Sequence, residues 1–564
     1  MDDVDAVQAQ IARNMLQSGD WVTARLNGVA YLEKSPLKYW MMASAFAIFG
    51  VHDWAARIPL ALACVALSWV TMRFGAWAFG ERAGFYAGLA IATCVGLFLF
   101  TRFQIPDAIL TLAITLALWS AARALEDDEP HAPLWAYGMW ASIGTGLLLK
   151  GLIAAVFPVA AIVLYLFFGK RDWRRLRPFS GIALLLLIAA PWHILATLRN
   201  PPYFDFTMHS ESGSYHGFFW FYFINEHLLR FLNLRYPRDY NTVPRLYFWA
   251  FHLLWLFPWS AYLATAFAGG VRPRDRASRV RLLALCWIGF ILFFFTFSTT
   301  QEYYSMPCYP ALALLIGAAI ARGGKPVDYG TRAIAFVSTL CLIAVMGILL
   351  AVRGVPAPGD ISNGLRHSAD VYEVYTLSLG HMSDLTLKSF AYLRLPLAVA
   401  ALAFLVGAVS AWRLKGRPAM IGIALMMALF FHAARLALVT FDPYLGSRPL
   451  AEALMASPPG ELVVDDQYYA FSSVFFYTDR TALLLNGRIN NLEYGSHAPG
   501  APNIFLDDPG FARLWNTPQR YYLVAAAPAV PRLVKLAGKD RLHVVLESGG
   551  KFLFTNQDGA PQRP

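Results

Sequence analysis

Between Arg25 and Trp40 the sequence reads RLNGVAYLEKSPLKYW. A carboxylate and an ammonium stand side by side at Glu33 and Lys34, fenced by Tyr31, Pro36, Tyr39 and Trp40, just ahead of a long apolar stretch. A lysine at such a boundary can snorkel, which accounts for Lys38, and Tyr39 and Trp40 fit an interfacial aromatic belt. Glu33 is not accounted for in this way, because an acid gains nothing there unless it is paired or binds a cation. More charges sit at the ends of apolar runs. Arg102 and Asp107 flank TRFQIPD, Lys150 stands in LLLKGLIA, and Glu226, His227 and Arg230 lie in FINEHLLRFL. Gln301, Glu302, Tyr303 and Tyr304 open QEYYSMPCYPALALL. Charges at such positions are costly and mark functional sites. Lys and Arg neutralise phosphate, carboxylates move protons, and apolar helices hold a tail, so the set suits a lipid-phosphate substrate.

The opening residues offer a proton acceptor. Read as a helix, residues 1–17 place Val4, Val7, Ile11 and Met15 on one face, which predicts an amphipathic helix resting in the membrane interface. Its first turn carries Asp2, Asp3 and Asp5. These acids favour a helix N-terminus by a few tenths to about 1 kcal/mol, or one of them is a general base held at the membrane surface. Both readings stand at this level.

The elements that must position these groups are membrane helices. Hydrophobic residues make up 57% of the 564 and charged residues 15%, which excludes an ordinary soluble domain. Apolar runs of spanning length fall near 57–78, 82–100, 105–124, 133–149, 152–168, 180–197, 246–266, 280–298, 304–322, 331–352, 391–413 and 418–438, twelve in all. The shorter run 36–51 reads as a helix lying in the interface. Basic loops at 170–177, 272–281 and 413–417, with Arg322 and Lys325, fall on one side, which the positive-inside rule makes cytoplasmic. The acidic run Glu126-Asp127-Asp128-Glu129 dissents, though acids count for little in that rule. Both termini and the loops 199–245 and 353–390 then face outward, on the same side as Asp5, Glu33, Arg102, Lys150, Glu226 and 301–304. The net charge of +11 is mostly topology and implies no nucleic-acid binding. An outward-facing start ordinarily follows a first span, so one more helix is expected ahead of residue 1.

The five cysteines all lie in apolar runs and read as packing groups. After Phe441 short strand-like runs (ELVVDD, SSVFFYTD, TALLL, RYYLVAA, LHVVL, KFLFTN) alternate with Gly, Pro and Asn, with helices near 447–456 and 509–515. The chain therefore divides into an outer catalytic loop with interface helices (1–56), a transmembrane domain (57–440) and an outer α/β domain (441–564).

The stretch from Asp2 to Trp40, with LLLKG, NEHLLRFL, LFPWSAYL and YYSMPCYPALALLIG, resembles the bacterial GT-C glycosyltransferases, the family of the lipid A aminoarabinose transferases and the protein O-mannosyltransferase-like enzymes. The resemblance implies thirteen spans with the catalytic loop after the first, an inner-membrane enzyme working on its periplasmic face, and sugar transfer from an undecaprenyl-phosphate-type carrier to a lipid A, glycolipid, glycan or protein acceptor. No nucleotide cofactor is implied, because the leaving group is already a phosphate. The family's essential aspartate, aligned without gaps from IARNM, falls on Val4, so the catalytic role passes to Asp5 or Asp3. Glu33-Lys34, Lys150-Gly151 and Glu226-His227…Arg230-Phe231 match family motifs. The implied roles are Glu33 in catalysis, Lys34, Arg25, Lys150, Arg102 and Arg230 on the donor phosphate, Tyr31, Glu302, Tyr303 and Tyr304 in the substrate pocket, and a divalent metal on Glu33 and His227. Gln301-Glu302 departs from the K-x-x-Y form of its segment, which points to a donor other than aminoarabinose. A lipid or solute transporter is the rival reading. Its charges should gather near the midplane, whereas these sit at one surface.

Overall fold

The computed structural model describes residues 1–237, 242–270, 272–357, 359–365 and 384–558; half of the expected outer loop 353–390 lies outside them. The chain opens with α1 (Asp3–Ser18), whose N-cap is Asp2: its carboxylate accepts the Asp5 N–H at 2.9 Å. The helix does not rest on a membrane surface as expected. Val7, Ile11 and Met15 are buried on one face, Ala6, Ala9 and Ala12 on the other, and Val4 is the exposed one. Small residues opposite the apolar stripe let α1 pack on two sides, against α2 (Leu37–Phe49) and against the helix Ser472–Thr478 of the C-terminal region. A short hairpin, β1 (Arg25–Leu26) and β2 (Val29–Ala30), separates α1 from the Glu-Lys pair.

The protein is a multi-pass membrane protein: among the described residues eight helices are long and apolar enough to cross a bilayer. Among them are α3 (Asp53–Phe79), α6 (Asp107–Ala124) and α9 (Pro178–Arg199), followed by Arg276–Phe297, Lys325–Val352, Arg394–Arg413 and Arg417–Leu445. Other expected spans are α7 (Ala132–Lys150), α8 (Ile153–Gly169), and α4 (Glu81–Thr93) with α5 (Val95–Phe100), which break at Cys94. The run 246–266 is not one continuous helix. It divides into Arg245–Ala250, His252–Trp255 and Trp259–Phe267, and Pro258 has no N–H with which to continue a helical ladder. Close helix approach rests on glycine. A Cβ on Gly84 would come within 2.4 Å of Met72 O, and one on Gly317 within 2.4 Å of Ala83 O.

The dissenting acidic loop has a physical reason. Glu126, buried, pairs with Arg279 at 2.5 Å, Asp128 with Arg276 at 2.5 Å, Asp127 with Arg171 at 3.3 Å and with Arg175, and Glu129 with Arg123 at 2.5 Å. The acids are counter-ions to the basic loops at the same end of the bundle.

Beyond residue 445 a six-stranded sheet forms in the order β5 (Phe505–Leu506), β4 (Leu483–Leu485), β3 (Glu461–Asp465), β6 (Tyr521–Ala526), β8 (Lys551–Thr555), β7 (His543–Ser548). The first four are parallel and the β6-β8-β7 edge is antiparallel. Helices Arg448–Ala456 and Asp508–Trp515 form as expected. SSVFFYTD does not form a strand: Ser472–Thr478 is a helix, with Val474, Phe475 and Phe476 buried against α1. A short apolar run buried on both faces carries no period that separates strand from helix.

Candidate functional site

A cavity of 410 Å³ opens between α6, α8, the 217–231 segment and the 298–307 stretch. One side is apolar, with Leu152, Ile153, Val156, Phe157, Leu228, Phe231, Phe294 and Phe295. Leu152, Val156 and Leu228 are also exposed on the outside of the bundle, so this side faces the hydrocarbon that the helices are built for. The other side holds three carboxylates and three cations: Glu33, Asp107 and Glu226 against Lys34, Lys150 and Arg230.

Each group arrives on a different element. Glu33 and Lys34 come from the turn after β2. Asp107 is the first residue of α6, and Lys150 the last of α7. Glu226 and His227 lie on the π-helix Trp220–Leu229, a rare, wide-turned form frequent at functional sites. The sequence signal for convergence was the shared position at the ends of apolar runs. The structure brings Glu33, Lys34, Lys150, Glu226, Arg230, Tyr303 and Tyr304 to one wall.

The ionic network is dense. Lys34 Nζ lies 3.3 Å from Glu33 Oε2 and 4.0 Å from Glu226 Oε2, while a third of its side chain stays exposed. Arg230 pairs with Glu226 at 2.7 Å and donates to Tyr304 OH at 3.2 Å. Arg235, buried behind the wall, pairs with Glu226 and lies 3.4 Å from Glu33 Oε1. Burial alone would raise the Glu226 carboxyl. Arg235, Arg230 and Lys34 outweigh it and hold the group far below the usual carboxylate range. Lys150 Nζ contacts Asp107 Oδ1 at 2.5 Å and sits 4.9 Å from the centre of the Tyr304 ring. Asp107 Oδ2 has no hydrogen-bond partner among the described residues. An orphaned buried carboxylate oxygen is costly, and beside a cavity it calls for an explanation in chemistry.

The aspartates of α1 lie elsewhere. Asp3 is committed to the C-terminal region: it accepts from Ser473 N–H at 2.9 Å, Ser473 Oγ at 2.6 Å and Ser447 Oγ at 2.9 Å, and pairs with Lys551 at 2.6 Å. Its carboxylate is a structural tie, which corrects its assignment to catalysis. Asp5 is fully buried, paired with Arg57, and accepts the Gln104 N–H at 2.6 Å. Burial, with Asp2 nearby, pushes its carboxyl up to about 7 against the pull of Arg57. Asp5 does not line the cavity; it anchors the turn Gln104–Asp107 from behind. Lys38 Nζ bonds Gln8 Oε1 at 2.6 Å and the C=O of the same Gln104 at 2.8 Å. It is a buried part of this anchor rather than a snorkelling lysine, and burial brings it down to about 7.

Other expected roles move with the geometry. Arg25 is exposed and bonds the Gly28 C=O of its own hairpin, and Arg102 lies by Phe103 near Asp5; neither lines the cavity. Tyr31 is buried beneath it, donating to Glu33 Oε2 at 3.2 Å. Glu302 is buried and does not line the cavity, unlike its neighbours Tyr303 and Tyr304. Glu33 and His227 do not fit a shared metal. His227 Nε2 accepts the Leu152 N–H at 3.1 Å and Nδ1 lies 2.5 Å from Tyr222 O, so both ring nitrogens are engaged by backbone. Burial keeps that ring low in proton affinity. Among the described residues no three His, Cys, Asp or Glu groups are grouped to hold an ion. Arg57, Arg235 and Asn491 carry no signal in the sequence, since nothing local marks their partners.

Residues 33–195, which run from the Glu-Lys pair through α9, match the model of the dolichyl-phosphate-mannose-protein mannosyltransferase family. Over 357 residues the chain is 28% identical to the undecaprenyl phosphate-alpha-4-amino-4-deoxy-L-arabinose arabinosyl transferase of Pectobacterium atrosepticum, covering 62% of this chain and 60% of that protein. The match therefore spans about three fifths of that relative's length. The protein of the same name from Erwinia tasmaniensis is 26% identical over 528 residues, 91% of this chain and 86% of the relative. The fold matches the crystal structure of ArnT from Cupriavidus metallidurans bound to undecaprenyl phosphate, with a TM-score of 0.77 at 23% identity over 99% of this chain and 94% of that one. The resemblance read from the first-loop motif is borne out: the chain is similar to ArnT-like GT-C glycosyltransferases in sequence and in fold.

Proposed function

We propose that this chain is a membrane glycosyltransferase that moves a sugar from a polyprenyl-phosphate donor to a hydroxyl-bearing acceptor. One observation carries the reading: a single cavity whose apolar side faces lipid and whose polar side presents Lys34, Lys150 and Arg230 beside the unspent Asp107 oxygen. The isoprenoid lies along Leu152, Val156, Phe157 and Phe294, and the phosphate meets the three cations. Glu33 and Glu226 keep those cations in place without neutralising Lys34 completely. In the reaction the bond between the anomeric carbon and the phosphate oxygen breaks, and a bond from that carbon to the acceptor oxygen forms. The acceptor's proton passes to the Asp107 carboxylate, and polyprenyl phosphate leaves as the anion that the lysines and arginine stabilise. Asp5, tied to the Gln104 N–H, holds the turn that aims Asp107.

The cavity lies at the end of the bundle opposite the basic loops, which supports a periplasmic site in a bacterial inner membrane, with the α/β domain on that same side. Twelve spans here and thirteen in the family pattern remain the preferred topology. The acceptor is a lipid, glycan or protein. Gln301-Glu302 argues for presenting a panel of lipid-linked sugars rather than aminoarabinose alone. Lipid and glycan mass spectrometry on cells with and without the protein tests the reading. A new sugar adduct that depends on Lys34 supports it; an unchanged profile, with a solute moved across vesicles instead, replaces it with a transporter.

A further inference from the structure

The C-terminal domain reaches into this site through one short turn. We infer that Asn491, on the Asn490–Leu492 turn after β4, is a positioning residue for Glu33; the inference rests on the glycosyltransferase reading above. Its Nδ2 donates to Glu33 Oε1 at 2.5 Å across 458 residues of sequence. The residues that follow take hold of the rest of the polar wall. Glu493 Oε1 accepts from Tyr236 OH at 2.5 Å, next to Arg235, and from Ser212 Oγ at 2.9 Å. Tyr494 OH donates to the Gly217 C=O at 2.9 Å and accepts the His216 N–H at 2.9 Å, at the entry to the π-helix. Gly495 seats directly on β2, where a Cβ would lie 1.9 Å from Ala30 O. Tyr469 OH, from the same domain, meets Tyr31 OH at 2.9 Å, and Tyr31 bonds Glu33.

A docking surface alone would need only burial and backbone bonds. Here an amide donor is aimed at a carboxylate of the wall, and that carboxylate orients Lys34 and Arg235. The groups facing Glu33 include Lys34 on its own turn, Tyr31, Tyr39 on α2, Arg235 from the segment after the π-helix, and Asn491. Glu226 and Arg230 act on it through Lys34 and Arg235.

Two substitutions separate positioning from packing. Asn491→Leu removes the donor at every pH. Asn491→Asp keeps the shape, and while the introduced carboxyl shares a proton with Glu33 it can donate as the amide did. Above the raised pKa of that pair both are charged and repel. With the full-length protein and a transferable lipid-linked sugar, Asn491→Leu should lower kcat about tenfold or more throughout. Asn491→Asp should hold activity closest to wild type at the acid end of the profile, where the introduced carboxyl keeps its proton, and lose it about tenfold as that proton leaves with rising pH. Asn490→Asp, whose amide bonds Gln467 within the domain at 2.8 Å, should keep the wild-type profile. Equal, pH-independent losses in both Asn491 variants, or no loss in either, overturn the positioning role while leaving the enzyme reading intact. A wild-type protein that transfers none of the lipid-linked sugars overturns the function and this inference together.

Discussion

The two ends of the helical bundle are built from the same residue types and do different things with them. At one end Glu126, Asp127, Asp128 and Glu129 meet Arg123, Arg171, Arg175, Arg276 and Arg279, and every one of these acids is matched by a guanidinium. Arg123 and Arg276 also lie over the Trp77 ring at 5.3 and 5.0 Å. These charges brace loops, and none of them lines the cavity. At the other end Glu33, Asp107, Glu226, Lys34, Lys150 and Arg230 ring that cavity, Lys34 stays partly open, and Asp107 keeps an oxygen without a partner among the described residues. Charge at the end of an apolar helix therefore does not by itself mark chemistry. What sets the second end apart is the cavity and the Asp107 oxygen beside it, and the proposed chemistry rests on those two observations.

The widest separation between the two ends should come from Asp107→Asn. It removes the basic carboxylate while leaving an amide to contact Lys150, and transfer should fall roughly 10²–10⁴-fold with the protein still folded and inserted. Lys34→Ala should follow. Losing a charge-assisted phosphate contact of about 1.5–3 kcal/mol raises the donor requirement about tenfold to a hundredfold, read as KM for the lipid-linked sugar. Asp5→Asn acts one step back from the cavity and should cost about tenfold in kcat at neutral pH, below a general base's usual contribution. The sign with pH follows from a carboxyl raised to about 7. Its charged form, which grips Arg57 and the Gln104 N–H, fills as pH rises through that value, so wild-type kcat should rise there and the Asn variant should not. The same raised value means that ionised Asp5 costs folding stability above pH 7 and not below the ordinary carboxylate range. Asp5→Asn should therefore lose no thermal stability at high pH. Smallest on activity is Glu126→Gln, which should leave transfer within about a factor of two while lowering the melting temperature, because it strips a buried partner from Arg279. A large loss of transfer in Glu126→Gln would break the contrast between the ends.

Much of the working end was legible because each contributor is a charge stranded against an apolar run. Lys150 in LLLKG and Glu226 in NEHLLRFL announce themselves by cost alone, and the Glu33-Lys34 pair by having no packing reason. Asp107 was visible as a boundary charge, but its free oxygen depends on Lys150, 43 residues away, taking only one side of the carboxylate. Asn491 and Arg235 were not legible, since an asparagine in a turn and an arginine in a loop look solvated until the domain closes over them. The aspartates of α1 are legible only in part, because their three neighbouring positions point three ways: Asp2 to the helix cap, Asp3 to the C-terminal domain, Asp5 to Arg57. Periodicity separates those faces, but what waits on each face is a tertiary fact. The strand expected at SSVFFYTD failed for the same reason, since burial on both faces erases the alternation.

The central claim is that the cavity takes a polyprenyl phosphate with its phosphate against the Lys34 wall. Binding of undecaprenyl phosphate to the purified full-length protein, followed by native mass spectrometry for wild type, Lys34→Ala and Arg171→Ala, tests it without knowledge of the sugar or acceptor. The account predicts one bound lipid on wild type and on Arg171→Ala, and about tenfold or weaker binding on Lys34→Ala. Equal binding by all three proteins would contradict it.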